Sequence, residues 1–159
     1  MTEILLMRHG KSGYPAGVLD RDRPLSDRGE RSAAAIGRAI SDFGAVPDRV
    51  FTSPARRARD TATLAHASGA WISEIDVIED LYGGGVADVV TAINGVRSKR
   101  LLLVGHEPTW SATAAFLIGG GSIQMVTASL VCIESDLPAG RASGWLRWML
   151  HPRLLTDSP

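Results

Sequence analysis

Apolar positions along this chain come in two kinds of block. EILLM (3–7) and LLLVG (101–105) are continuous apolar runs, the pattern of strands covered on both faces. RVFT (49–52) and IDVI (75–78) read as shorter strands between them. The stretches in between carry helical spacing. Ser26 is placed to cap a helix running to about Phe43, with Ile36, Ile40 and Phe43 on one face and Gly44 as its stop. Ser53-Pro54 reads as an N-cap followed by proline at the first helical position, opening a helix to about Ala67 with Gly69 just past its end. VADVVTAINGV (86–96) is apolar at 86, 89, 90, 93 and 96, again a helix. Pro108 opens another to Ile118, ended by the glycines at 119–121. Residues 13–25, rich in Gly, Pro and Asp, read as a loop. SLVCIE (129–134) and GWLRWML (144–150) close the chain as a strand pair, with room for an antiparallel edge. Alternation of strand and helix implies an α/β fold, a sheet with helices on both faces.

Composition narrows the function classes. A chain of 159 residues suits a single domain, 1–159, and 45% hydrophobic content supports a packed core. Formal net charge is zero, which argues against broad nucleic-acid or anionic-membrane binding. Residues 1–60 nevertheless hold 11 Arg/Lys against 8 Asp/Glu, so a local anion site in the first half is compatible with neutrality. The one cysteine, Cys132, sits in an apolar run and is expected to be a buried, inert thiol. There is no basic segment followed by a long apolar stretch at the start, and no run approaches the ~20 residues of a membrane span. The expected compartment is the cytoplasm.

Three polar stretches stand where predicted strands end: Arg8-His9 after the first, SPARRA after RVFT, and Gly105-His106-Glu107 after LLLV. In open α/β sheets ligands bind at the carboxyl ends of strands, so the fold would gather these stretches. Guanidinium forks match phosphate oxygens and never lose their charge. A helix start adds N–H groups and a positive dipole end. A neutral imidazole is a competent nucleophile toward phosphorus if its second nitrogen is fixed by an acceptor. Arginines and a second, protonated imidazole would stabilise the transferring charge without a metal.

LLMRHGKS, DRPLSDRG, RVFTSPARRARDTA and LLLVGHEP, in this order and spacing, resemble the histidine phosphatase superfamily, most closely its short SixA-type phosphohistidine phosphatases. The blocks span residues 3 to about 108, and GWLRWMLHPRLL is similar to the end of such proteins. The resemblance implies a phosphoglycerate mutase-like fold, a three-layer α/β/α sandwich with a mostly parallel central sheet, and no cofactor. By position it implies His9 as the nucleophile that becomes phosphohistidine, Arg8 beside it on the phosphoryl group, and His106 as the second histidine. The arginine preceding Ala and four residues before Thr is Arg57, with Arg56 a close competitor. Arg23, in Arg23-Pro24-Leu25, matches an arginine that lines the phosphate site in the SixA group, although DRPL also reads as a turn into the Ser26 cap. Asp60 stands where many relatives have Gln, a supporting position. Glu79 is the nearest match to the acid of larger relatives, with Asp80 adjacent.

The function expected is a metal-independent phosphatase working through phosphohistidine at His9, with phosphohistidine on a partner protein as the favoured substrate. A short chain without a long lid insertion suits a protein side chain, and an N-phosphoryl imidazole demands less of a proton donor than an alkyl phosphate. A small-molecule phosphomonoesterase or mutase-like enzyme is the alternative, and a non-catalytic phosphate-binding module is the alternative of another class. His66 and His151 lack partners at metal-ligand spacing and read as structural or surface residues. The glycines at 83–85 lack a following Lys-Ser/Thr and make no P-loop. Trp145 and Trp148, three apart in a strand, are expected on opposite faces, one of them in the core.

Overall fold

A computed structural model describes residues 1–156. The run EILLM lies inside β1 (Thr2–Arg8), and Ile4, Leu5, Leu6 and Met7 have no exposed surface. Such a strand must be covered on both faces, and it is. Leu5 and Met7 pack on one side with Ile36 and Ile40 of α1 (Asp27–Asp42) and Ala58, Ala62 and Ala65 of α2 (Arg56–Gly69). Ile4 and Leu6 pack on the other with Val89 and Ile93 of α3 (Val86–Asn94) and Trp110, Ala114 and Leu117 of α4 (Thr109–Ile118). The result is the three-layer α/β/α sandwich that the alternation implied.

The remaining strands are β2 (Arg49–Thr52), β3 (Glu74–Val77), β4 (Arg100–Gly105), β5 (Leu130–Ser135) and β6 (Gly144–Leu150). They make one six-stranded sheet ordered β3-β2-β4-β1-β5-β6. β1, β2, β3 and β4 run parallel, β5 pairs antiparallel with β1, and β6 pairs antiparallel with β5 at the edge. Among the described residues no helix is long and apolar enough to cross a membrane.

Several boundaries differ from the sequence reading, each for a physical reason. α1 is capped as expected, its Ser26 hydroxyl accepting from the Gly29 N–H at 3.1 Å, but Phe43 is the C-terminal cap and is 60% exposed rather than on the core face. α2 starts at Arg56, not at Ser53-Pro54. Ser53 stays in the sheet, its N–H donating to the Val104 carbonyl at 3.0 Å, and Ala55 takes the cap position. α2 ends with Gly69 as its last residue, and Ala70 makes the left-handed turn at φ 53°. α3 stops at Asn94, two residues earlier than its apolar spacing suggested. Trp145 and Trp148 do not alternate. The β5–β6 register shifts between Cys132 and Ile133, so Trp148 faces Cys132 and Trp145 faces Glu134 across the same side of the pair. Trp148 packs on the α1/α2 core and Trp145 is exposed.

α1 and α2 approach closely because the contact is lined by glycine. A Cβ on Gly37 would overlap the Ala65 carbonyl, and one on Gly69 would overlap the Trp71 indole and crowd the Gly37 carbonyl. Gly37→Ala should therefore destabilise the protein by about 1–3 kcal/mol, the range for overpacking a tight contact. At this chain length that lowers Tm by about 2–4 °C per kcal/mol in a thermal melt. An unchanged Tm would show that the two helices separate freely.

Candidate active site

The site begins with a pairing. β1 and β4 are parallel neighbours with Arg8 opposite Gly105, and the His9 N–H donates to the Gly105 carbonyl at 2.9 Å. His9 and His106 therefore leave adjacent strand ends together. Their ring centroids lie 5.1 Å apart. His9 is 7% exposed, and its Nδ1 is 2.7 Å from the Gly10 carbonyl. A carbonyl only accepts, so Nδ1 carries the hydrogen and Nε2 keeps its lone pair.

Gly10 is itself held. Its N–H donates to the Thr61 hydroxyl oxygen at 2.9 Å, and that hydroxyl donates to the Arg57 carbonyl at 2.7 Å. This explains in bonds why an arginine and a threonine four apart belong together: one turn of α2 carries the cation and clamps the histidine loop. The N-terminus of α1 presses on the same loop. A Cβ on Gly29 would overlap the Lys11 backbone, and one on Gly10 would crowd the Gly29 carbonyl.

Arg8, His9, Arg23, Arg57 and His106 line one cavity of about 200 Å³, with Lys11, Ser12, Tyr14, Glu107 and Thr127. Four buried nitrogens on these residues have no hydrogen-bond partner: Arg8 Nε, Arg23 Nη1, Arg57 Nε and His106 Nδ1. Buried donors are almost always satisfied, so unpartnered guanidinium nitrogens on three residues that line one cavity suit an acceptor-rich anion. A second chamber of about 460 Å³ shares Arg57, His106 and Glu107, and continues past Leu81, Tyr82, Gly83, Gly84, Pro108 and Thr109.

Crowding and burial set the protonation states. Burial is the main cause that pushes the His9 imidazole down to about 3, and the charges at His106, Arg57 and Arg8 add to it against the Gly10 bond. Burial, then Arg57, pushes His106 down to about 4. The second imidazole, expected from sequence in its protonated form, is thus held toward the neutral form by burial first and Arg57 second, with the Asp20 carboxylate acting against them. His106 Nε2 lies 2.8 Å from the Ser53 hydroxyl, and its ring meets Tyr82 edge-on at 5.8 Å between centroids.

Two residues that the sequence reading does not assign to the site take part in it, Asp20 among the arginines and Ser53 beside His106. Asp20 accepts from Arg57 twice, Nη1 on its carbonyl at 2.7 Å and Nη2 on Oδ2 at 3.2 Å. Its Oδ1 accepts from Arg23 Nε at 3.1 Å and its Oδ2 from the Tyr82 hydroxyl at 2.7 Å. The Tyr82 bond above all, with the arginines, holds the Asp20 carboxyl below its usual range. LDRDRPLSDRG contains three aspartates, and nothing in that spacing singles out Asp20. Ser53 carries a helix-cap signature in the sequence, and its contact with His106 spans 53 positions.

Of the residues proposed from sequence, the fold brings together Arg8, His9, Arg23, Arg57 and His106. It separates Arg57, 6% exposed, from Arg56, which is exposed and pairs with Asp60 at 3.4 Å. Arg23 is buried beneath the exposed Tyr14 ring, 4.1 Å from its centroid. Glu79 does not line either chamber. Its exposed carboxylate pairs with Arg21 at 3.1 Å, and Asp80 is also outside. Cys132 is fully buried, and burial pushes its thiol up to about 12. Among the described residues no group of three or more His, Cys, Asp and Glu side chains is placed to hold a metal.

Comparison with known proteins agrees with this arrangement. Residues 4–84 match the model for the histidine phosphatase superfamily (branch 1). An uncharacterised protein of Mycobacterium tuberculosis is 44% identical over 117 residues, which covers 70% of this chain and 69% of the relative. A protein assigned as the phosphohistidine phosphatase SixA from Agrobacterium tumefaciens superposes with a TM-score of 0.83 at 25% identity, over 95% of this chain and 98% of that one. The protein histidine phosphatase SixA complexed with tungstate gives 0.86 at 23% identity over 98% and 100%, a likeness of fold. With the family match covering β1 through the Gly84 loop, and Arg8, His9 and Arg57 all within it, the chain belongs to the histidine phosphatase superfamily.

Proposed function

We propose that this chain is a metal-independent phosphohydrolase that works through a phosphohistidine at His9 and acts best on phosphohistidine carried by a partner protein. The observation that carries this reading is the His9 ring, tied at Nδ1 to the Gly10 carbonyl, with its other nitrogen free at a cavity edged by unpartnered buried donors. A phosphoryl oxygen supplies the acceptor that Arg8 Nε, Arg23 Nη1, Arg57 Nε and His106 Nδ1 lack.

In the first step the Nε2 lone pair forms a bond to phosphorus while the bond from phosphorus to the leaving nitrogen or oxygen breaks. A protonated N-phosphoryl imidazole leaves as neutral imidazole and needs no further proton, whereas an alkyl phosphate must receive one. In the second step water adds to phosphorus, gives up a proton to solvent, and phosphate departs with Nε2 restored. The arginines hold the equatorial oxygens in both steps. Arrival of a phosphate dianion offsets the cations around His106 and favours its charged form, so that imidazole becomes the cationic donor only with substrate present. The nearby carboxylates are already engaged, Glu79 by Arg21, Glu107 by the N–H and hydroxyl of Ser111, and Asp20 by the arginines and Tyr82, which supports the easier leaving group.

The second chamber supports a rival reading of the same class. Its roughly 460 Å³ beside His106 has room for the organic part of a small phosphomonoester. A purely binding module is disfavoured because anion capture does not require an imidazole with a fixed tautomer.

Three outcomes are expected. With excess EDTA, purified protein should retain its turnover and hydrolyse a phosphohistidine peptide with a higher kcat/KM than any sugar phosphate. Turnover lost to chelator and restored by a divalent ion would remove the metal-free mechanism, and a sugar phosphate as best substrate would install the rival. His9→Ala should abolish both turnover and acid-labile phosphate on rapidly quenched enzyme, read by mass spectrometry. His106→Ala should slow chemistry by roughly 10²–10³-fold while His9 labelling persists, Arg57→Ala should weaken both rate and oxyanion binding, and Arg56→Ala should do far less. Phosphate found on His106 would reassign the nucleophile. Finally, a folded-state imidazole pushed down to about 3 is neutral throughout the neutral range and gains its proton only in strong acid. An NMR titration of the ligand-free protein should therefore show no midpoint for His9 between about pH 5 and 8, where an ordinary imidazole titrates. A midpoint near the ordinary value would mean the ring is far better solvated than its burial implies.

A further inference from the structure

We propose that Asp20 is a positioning residue of the reaction at His9, one that sets the two arginine forks and, through Tyr82, the second imidazole. This rests on the phosphatase reading above. A carboxylate among the cations of an anion site is the opposite of what ground-state capture of phosphate requires. Its side chain is also 56% exposed, so it was not driven there by burial of its own surface. What distinguishes it is the set of groups that converge on it. Arg57 comes from the first turn of α2, Arg23 from the loop before α1, and Tyr82 from the segment after β3. The two arginines are long side chains with several rotatable bonds, and all three residues line the chambers that His106 shares.

The division of the guanidinium edges is the second observation. Asp20 takes Nη1 and Nη2 of Arg57 and leaves Nε, which is buried and unpartnered. It takes Nε of Arg23 and leaves Nη1, also buried and unpartnered. Each fork is thus gripped along one edge while another is left for the incoming phosphoryl oxygens, a use of guanidinium geometry that lysine could not serve. Tyr82 extends the grip. Its hydroxyl donates to Asp20 and its ring stands edge-on to His106, so the same carboxylate borders both the arginine side and the imidazole side of the pocket. The turn that carries Asp20 is pinned in place, with the Asp22 N–H on the Leu19 carbonyl at 2.9 Å and the Arg23 N–H on the Asp20 carbonyl at 3.3 Å.

A stitching role for Asp20, tying the loop to α2, would lower stability and leave the chemistry of the folded fraction intact. A positioning role separates rate from binding. Removing the negative charge makes the pocket more attractive to an oxyanion, while loosening the forks slows the chemical step. Asp20→Asn should therefore lower kcat by ~10-fold or more, as small misplacements of catalytic groups do. Its affinity for tungstate, measured by calorimetry, should be equal to or tighter than that of the unmodified protein, with Tm little changed. Tyr82→Phe, which keeps the ring, should lower kcat by less. The double variant should be no slower than Asp20→Asn alone, because the two act through one contact. A readout without turnover completes the test. In ligand-free protein the Arg23 and Arg57 Nε–H NMR signals should broaden or exchange faster in Asp20→Asn. Unchanged signals, or a kcat within ~2-fold of the unmodified protein, would overturn the proposal, since a misplaced fork costs far more. Failure of the unmodified protein to turn over any phosphorylated substrate would instead sink the phosphatase reading, and the Nε–H signals would then decide Asp20 by themselves.

Discussion

The parallel pairing of β1 with β4 is the contact from which the rest of the site follows. Arg8 opposite Gly105 sets the two strand ends level, and the next residue of each strand is a histidine. Both strands are buried on both faces, so neither end can drift without opening the core on one side or the other. A slip of one residue would exchange the faces of Leu5 and Leu6 and carry His9 away from His106. The hydrophobic register therefore also sets the register of the two histidines.

That placement creates an electrostatic problem. Arg8, Arg57, Arg23 and two imidazoles meet around a small cavity, and most of them are nearly out of contact with water. Burial above all holds both imidazoles toward their neutral forms, which leaves a lone pair on His9 Nε2. The arginines cannot lose their charge, and Asp20 with its Tyr82 partner answers them. Several of their donors are nevertheless left without partners, and buried donors in that state cost free energy unless a ligand completes them.

Much of this was legible in the linear sequence. Continuous apolar runs marked β1 and β4, and their buried faces followed. Ser26 as a cap needed only a hydroxyl ahead of a helical pattern. His9 and His106 stood out because each directly follows a buried strand, whereas the choice of Arg57 over Arg56 rested on the resemblance to known phosphatases. Other features were hidden for identifiable reasons. Ser53-Pro54 carries an ideal helix-start signature, yet the sheet kept Ser53 through its bond to Val104, and its hydroxyl went to His106. The bulge in β6 reversed the expected alternation of Trp145 and Trp148, since a strand's period of two assumes an unbroken ladder. The resemblance to known phosphatases likewise pointed toward an acid at Glu79, and only the pairing with Arg21 shows that carboxylate turned elsewhere.

By itself the sequence determined what is local or periodic: which segments are buried strands, which are amphipathic helices, and which strand ends carry imidazole and guanidinium. These depend on burial pattern and on residue type, and both are written along the chain. Tertiary structure gives the physical reason that Arg57, the arginine the resemblance implied, enters the pocket and Arg56 does not. Arg56 and Arg57 are adjacent and chemically identical, and about 100° of rotation around α2 sends one to solvent beside Asp60 and the other inward. It alone chose Asp20 from three nearby aspartates, because that choice is made by Arg57 and Tyr82, 37 and 62 positions away. Contacts between distant segments have no local signature. They arise only when the sheet order has brought those segments to one edge.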